Sequence, residues 1–159
     1  MNRPSAVESE VHRIRERIRE RRFDEAVDAA DALRDIVPEN CDVLYLKARA
    51  QRLSGATAAS LATLTTLERL HPRFSRLYEE RGLCHVALRR APEAIEALLH
   101  AVQINPALPA SWSMLEGLYR LIGQNGSNQK FRLVKVERGA VDLIVTATGN
   151  INPVINVLV

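Results

Sequence analysis

"HPRFSRLYEERGLCHVALRRAPEAIEALLHAVQINP", residues 71–106, opens and closes on an X-Pro step that follows an apolar helical run. Proline has no amide N–H and pushes the residue before it out of the helical region, so each step is a helix stop. The same stop stands at "RDIVPEN", which places Pro38, Pro72 and Pro106 at intervals of 34 residues. Two helices of ordinary length fit between consecutive stops. Pro92 falls in the first turn of the second one, where its missing N–H costs nothing.

Aligned on this period, the blocks repeat residue size as well as proline. Small residues recur at Ala48 and Gly82 in the first helix, and at Ala26, Ser60 and Ala94 in the second. Leu44, Tyr78 and Trp112 fall on one another, as do Leu33, Leu67 and Ala101. Each hairpin is apolar on one side and buries that side only by stacking on a neighbour. The pattern predicts helices near 7–20, 24–37, 41–54, 57–70, 75–88, 92–104 and 109–122, the last serving as a cap. The expected architecture is an all-α solenoid of antiparallel helix hairpins, about 3.5 repeats over residues 7–124, in blocks 7–40, 41–74, 75–108 and a partial 109–124.

This pattern resembles the tetratricopeptide repeat (TPR). Block three carries Tyr78, Gly82, Ala94, Ala101 and Pro106 at its consensus positions, and Trp112, Leu115 and Tyr119 open block four at the consensus spacing. Block one departs, with Arg13, Ile14 and Arg17 at the Leu, small and Tyr positions. Block two departs at Ser60 and Leu64, where Ala and an aromatic are usual. The expected consequences are a polar cap in block one and a less regular block two.

The composition excludes several classes. With 159 residues, 47% of them hydrophobic and 26% charged, the chain has enough apolar residues for one packed domain. No stretch is apolar for long enough to be a signal peptide or to cross a bilayer, so the expected compartment is the cytoplasm. Cys41 and Cys84 lack the pairing of a disulfide framework or a zinc site and read as packing residues. His12, His71, His85 and His100 each fall within or at the edge of a repeat and are assigned no catalytic role. "GQNGSN" has no lysine for a phosphate and there is no Gly-rich Lys-Ser/Thr loop, so no cofactor is expected and the chain is read as noncatalytic.

The net charge is only +3, yet "HRIRERIRERR" concentrates Arg13, Arg15, Arg17, Arg19, Arg21 and Arg22. Ile14 and Ile18 share one helical face, Glu16 and Glu20 offer partners one turn away, and no aromatic interleaves for stacking on bases. The run reads as a solvated helix face or an anion-facing surface, and nucleic acid is not the expected partner. In solenoids of this kind the first helices of successive repeats line the concave face. The register points Arg15 and Arg19 there from block one, Tyr45, Arg49 and Arg52 from block two, Arg76 with Glu79 from block three, and Arg120 from block four. Guanidinium groups beside a tyrosine hold carboxylates in a bidentate manner, so the ligand class is a protein or peptide segment of acidic character. The alternative is a basic face that is merely solvated. Val11 and Arg15 stand where chaperone-binding members of the family place the Lys and Asn of a two-carboxylate clamp, which disfavours a chaperone C-terminus.

A narrower resemblance attaches to "PENCDVLYLKARAQRLSG", "LERLHPRFSRLYEERGLCHVAL" and "AIEALLHAVQINPALPASWSMLEGLYRLIGQ". These words are similar to the N-terminal repeat region of bacterial TPR-containing sulfotransferases. That resemblance implies a regulatory or docking piece whose catalytic domain, using 3'-phosphoadenylyl sulfate, lies elsewhere. After Gln124 the text changes: "NGSNQ" is turn-rich, 125–130 reads as a linker, and 131–159 alternates β-branched and apolar residues as a β-rich, incomplete domain. Within it "VERGAVDLIVTATGNINPV", Val136–Val154, resembles the opening strands of periplasmic adaptor (membrane fusion) subunits of efflux pumps. Both resemblances break off within a domain, so a fusion or a truncation is the expectation. The edges of such a tail would be free to pair with a second copy of the chain.

Overall fold

The structure is a computed structural model that describes residues 6–125. Among them are seven helices: α1 (Ala6–Arg19), α2 (Phe23–Ile36), α3 (Cys41–Leu53), α4 (Thr57–Leu70), α5 (Ser75–Ala87), α6 (Ala91–Ile104) and α7 (Pro109–Asn125). All seven expected helices are present, within a residue or so of their expected bounds except at the end of α7. The linker and strands expected over 125–159 lie, beyond Asn125, outside the described residues.

The stops work as the prolines require. Val37, His71 and Asn105, each preceding a proline, leave the helix with φ of −130°, −135° and −137°. Each amide still closes the last turn by donating to the carbonyl four residues back, that of Leu33, Leu67 or Ala101. The restart is also repeated, since Tyr78 Oη donates to the Pro72 carbonyl and Trp112 Nε1 to the Pro106 carbonyl, both at 2.9 Å. At α3 the restart is capped by Asn40, whose Oδ1 accepts from the amides of Asp42 and Val43.

Inside each hairpin the turn follows one scheme. Arg21, Gly55 and Arg89, again 34 apart, take φ of 63°, 91° and 58°. The Arg21 and Arg22 amides donate to the carbonyls of Ile18 and Arg17, and the Arg89 and Arg90 amides to those of Val86 and His85. Both are Schellman closures with arginine in the left-handed position that favours glycine.

Three apolar clusters lie along the solenoid rather than at one centre. The first joins Ile14, Ile18, Ala30 and Leu33 to Val43 and Leu46. The second joins Leu44, Leu64 and Leu67 to Leu77, Tyr78 and Ala101, and the third joins Leu98 and Val102 to Leu115. The small positions mark the helix crossings. A Cβ on Gly82 would sit 2.7 Å from Leu98 Cγ and 3.4 Å from the Ala94 carbonyl oxygen. The departures in the first two blocks resolve differently. Ile14 is fully buried at a small position, and α1 packs on α2 less closely than α3 does on α4 or α5 on α6. Ser60 keeps block two regular, because its buried Oγ donates to the Ala48 carbonyl at 2.7 Å and lies 3.3 Å from Cys84 Sγ. Trp112 is 50% exposed, since no described helix covers that side of α7.

Two predictions follow from the turns and the crossing. Arg89→Gly relieves a left-handed arginine and should stabilise the fold by about 0.5–1 kcal/mol, whereas Gly55→Ala should cost about 1 kcal/mol; urea denaturation of both reads the opposite signs. Gly82→Ala adds helix propensity worth ~1 kcal/mol yet must displace the buried Leu98, and a net loss of about 1–2 kcal/mol is expected. A melting temperature at or above that of the parent would refute the close crossing.

Candidate functional site: the face of the first helices

Helix α1 packs on α3 and α3 on α5, while the second helices α2, α4 and α6 make no comparable contacts with one another. The first helices are thus the inner row, and their free sides line the concave face. The arginines expected there do not all have the same standing.

Arg15, Arg19 and Arg49 come together. They line one cavity of about 500 Å³ with Arg21, over a floor of Ile18, Phe23, Leu46 and Leu53. Arg15 Nη2 lies 3.4 Å from Asp42 Oδ1, and Arg19 Nη1 donates to Glu16 at 2.7 Å. Both are exposed pairs of the kind that contribute little and exchange readily for another partner. Arg21 and Arg49 hold no ion pair with a described residue.

Tyr45 and Arg76 form the middle of the face. The Tyr45 ring meets Phe74 edge to face at 5.7 Å between centroids. Burial pushes the Tyr45 hydroxyl pKa up, with Glu80 adding to the rise and Arg49 and Arg76 opposing it. Burial likewise raises the Glu79 carboxyl, assisted by Glu80 and opposed by Arg76 and Arg49.

Arg52 and Arg120 are placed otherwise. Arg52 Nε donates to Glu80, whose side chain is 3% exposed, and the pair ties α3 to α5 across the repeat junction. Its guanidinium is committed to packing. Arg120 reaches back along α7 to Glu116 at 2.6 Å, on exposed surface and away from the cavity that gathers the others. The Arg52 partner was not legible at a helical spacing, because Glu80 lies one repeat further on.

The remaining candidate groups take structural places. Cys84 is buried, and burial raises its thiol pKa against the lowering effect of the Ser60 contact. His71 Nε2 lies 2.6 Å from the Glu39 carbonyl oxygen, and His100 stacks on Tyr78 at 4.0 Å. His12 sits 3.5 Å from Glu16, and His85 is half-buried with Nδ1 unpartnered. Among the described residues no cluster of His, Cys, Asp or Glu could hold a metal ion, and no helix is long and apolar enough to cross a membrane.

No family model matches this chain, and no curated protein matches it. Solved structures do. The first TPR of Spaghetti (RPAP3) bound to the HSP90 peptide SRMEEVD is similar at a TM-score of 0.67 and 17% identity, covering 74% of this chain and 93% of that one. The Sgt2 TPR domain from Aspergillus fumigatus is similar at a TM-score of 0.71 and 18% identity, over 86% of this chain and 92% of that one. The Yersinia enterocolitica type III secretion chaperone SycD, in complex with a peptide of the translocator YopD, is similar at 0.65 and 12%, over 76% and 97%. Residues 6–125 thus have the TPR fold.

The buried pair gives a test of its own. Glu80→Leu leaves the Arg52 guanidinium without its carboxylate and should cost about 3 kcal/mol, while the double change Arg52→Met with Glu80→Leu should recover most of that. Chemical denaturation of the single and double variants checks it; equal losses in both would show that the pair holds nothing together.

Proposed function

We propose that residues 6–125 are a noncatalytic recognition module that holds an acidic segment of a partner protein on the concave face. The observation that carries this reading is the convergence of Arg15, Arg19 and Arg49 on one cavity with an apolar floor, with Arg76 and Tyr45 beside it. Guanidinium groups over an apolar surface bind a carboxylate more strongly than they do in open water, because the wall excludes solvent on one side.

A neighbour in fold is bound to SRMEEVD, a peptide that carries two glutamates and an aspartate, which supports the ligand class. A chaperone C-terminus is not the partner assigned here. Val11 is 7% exposed and packed in the first apolar cluster, so the position where a clamp lysine would stand offers no charge. A second reading, a docking piece for a sulfotransferase domain, rests on the resemblance over most of residues 8–124. It predicts micromolar binding of 3'-phosphoadenosine 5'-phosphate, and a flat calorimetric titration retires it. The adaptor resemblance falls on residues 136–154, outside the described region, and enters no reading of the site. The same holds for pairing of a second copy through the tail.

The test of the groove is a labelled acidic peptide, EEDLEE, followed by fluorescence anisotropy. Arg49→Glu should weaken binding about tenfold with helical content unchanged, and binding should decline as salt rises. Equal affinity for the parent and for Arg49→Glu would remove the groove from consideration.

A further inference from the structure

We infer that Arg21 is a ligand-binding residue, and that the acidic end of the bound segment seats in the pocket at the turn between α1 and α2. The inference rests on the groove reading and makes it narrower. Arg21 belongs to the turn rather than to the inner face of a helix, which is why helical register leaves it out of the groove. It nonetheless lines the same cavity as Arg15, Arg19 and Arg49, so four arginines share the lining with Ile18, Phe23, Leu46 and Leu53.

The backbone makes arginine an unexpected occupant. At φ of 63° Arg21 is in the left-handed region, and the equivalent place one repeat on is Gly55 at 91°. Glycine is the residue this geometry favours, yet Arg89 holds the same turn two repeats on at 58°, so it is the cavity and not the turn that singles out Arg21. Arg22, its neighbour, is already occupied by Glu25 at 2.5 Å and Glu20 at 3.1 Å. Arg21 has no such partner among the described residues, and its charge is open to a ligand.

The pocket's two chemistries define what fits. Cationic groups stand around it and its floor is apolar, so it matches a short stretch in which an apolar side chain has carboxylates on both sides. The apolar side chain rests on Phe23 and Leu46, and the flanking carboxylates meet the arginines. A wholly acidic stretch would leave the floor in contact with water, and a wholly apolar one would desolvate the guanidinium groups without a partner.

Arg89 supplies an internal control. It has the same turn, the same closure and the same left-handed φ of 58°, but it does not line this cavity. Arg21→Gly and Arg89→Gly should therefore each raise the melting temperature by about 3 °C. Only Arg21→Gly should weaken EEDLEE, by about fivefold. Replacing the central leucine of the peptide by serine should weaken it further against the parent protein. Parent-like affinity of Arg21→Gly, alongside the loss in Arg49→Glu, would overturn the Arg21 assignment and leave the groove standing. Indifference to leucine or serine would overturn the apolar seat. No binding of EEDLEE by the parent would overturn the groove reading, and this inference with it.

Discussion

The crossing of two helices at a residue too small to hold them apart is the constraint on which this solenoid depends. At Gly82 the main chain of α5 lies so near α6 that an ideal Cβ would overlap Leu98. At the same frame position Ala48 presents its carbonyl to the buried Ser60 hydroxyl, which replaces a methyl contact by a hydrogen bond at 2.7 Å. Only such an approach lets a hairpin of two short helices bury a face deep enough to be stable in water. The period of 34 residues is the length needed to make one crossing, close the turn and return to the next. Where the crossing carries Ile14, that side chain is itself fully buried in the first apolar cluster.

A second layer of organisation is electrostatic, and it decides which arginines are held in buried pairs and which stay exposed. The molecule has many more cationic side chains on its inner row than a groove needs. Arg52 is drawn inward by Glu80 and becomes a strut between repeats. On the outer side Arg81 makes two bonds to Glu68, at 3.1 and 2.6 Å, with its guanidinium carbon 5.5 Å from the Tyr78 ring centre. That partnership holds the Glu68 carboxyl below the ordinary range. These pairs span different helices and help fix how successive hairpins dock. The pairs within α1, by contrast, join residues three or four apart, leave their members exposed and fix nothing beyond the helix.

Local signals made the fold readable. Proline stops, small residues and apolar spacing all act within one block, so the helices at 41–53, 57–70 and 75–87 follow from the text with hardly a residue of error. The site was less legible because its residues are sorted by partners that are distant in sequence. Nothing in "KARAQRLSG" distinguishes the committed Arg52 from the available Arg49; the difference is a glutamate 28 residues beyond Arg52. Arg21 was not legible either: on the 34-residue frame it coincides with Gly55 and with Arg89, and only its place in the cavity beside Arg15, Arg19 and Arg49 sets it apart.

The ion pairs on the α1–α3 face bear on how a basic cavity tolerates its own charge. Four arginines lining one cavity place like charges near one another, which is costly where nothing offsets it. Asp42 and Glu16 reduce that repulsion from the edges, at 3.4 Å and 2.7 Å, without entering the cavity lining. Because both pairs are exposed, exchanging them for a ligand carboxylate costs little, and the released acids remain solvated. A deeper pair, such as Arg52 with Glu80, could not be exchanged in this way, since opening it strands a buried charge. The same physics that commits Arg52 to the repeat junction leaves Arg15 and Arg19 in exposed pairs. Burial of the partner carboxylate, more than the position of the arginine along its helix, separates the arginine held between repeats from those in exposed pairs.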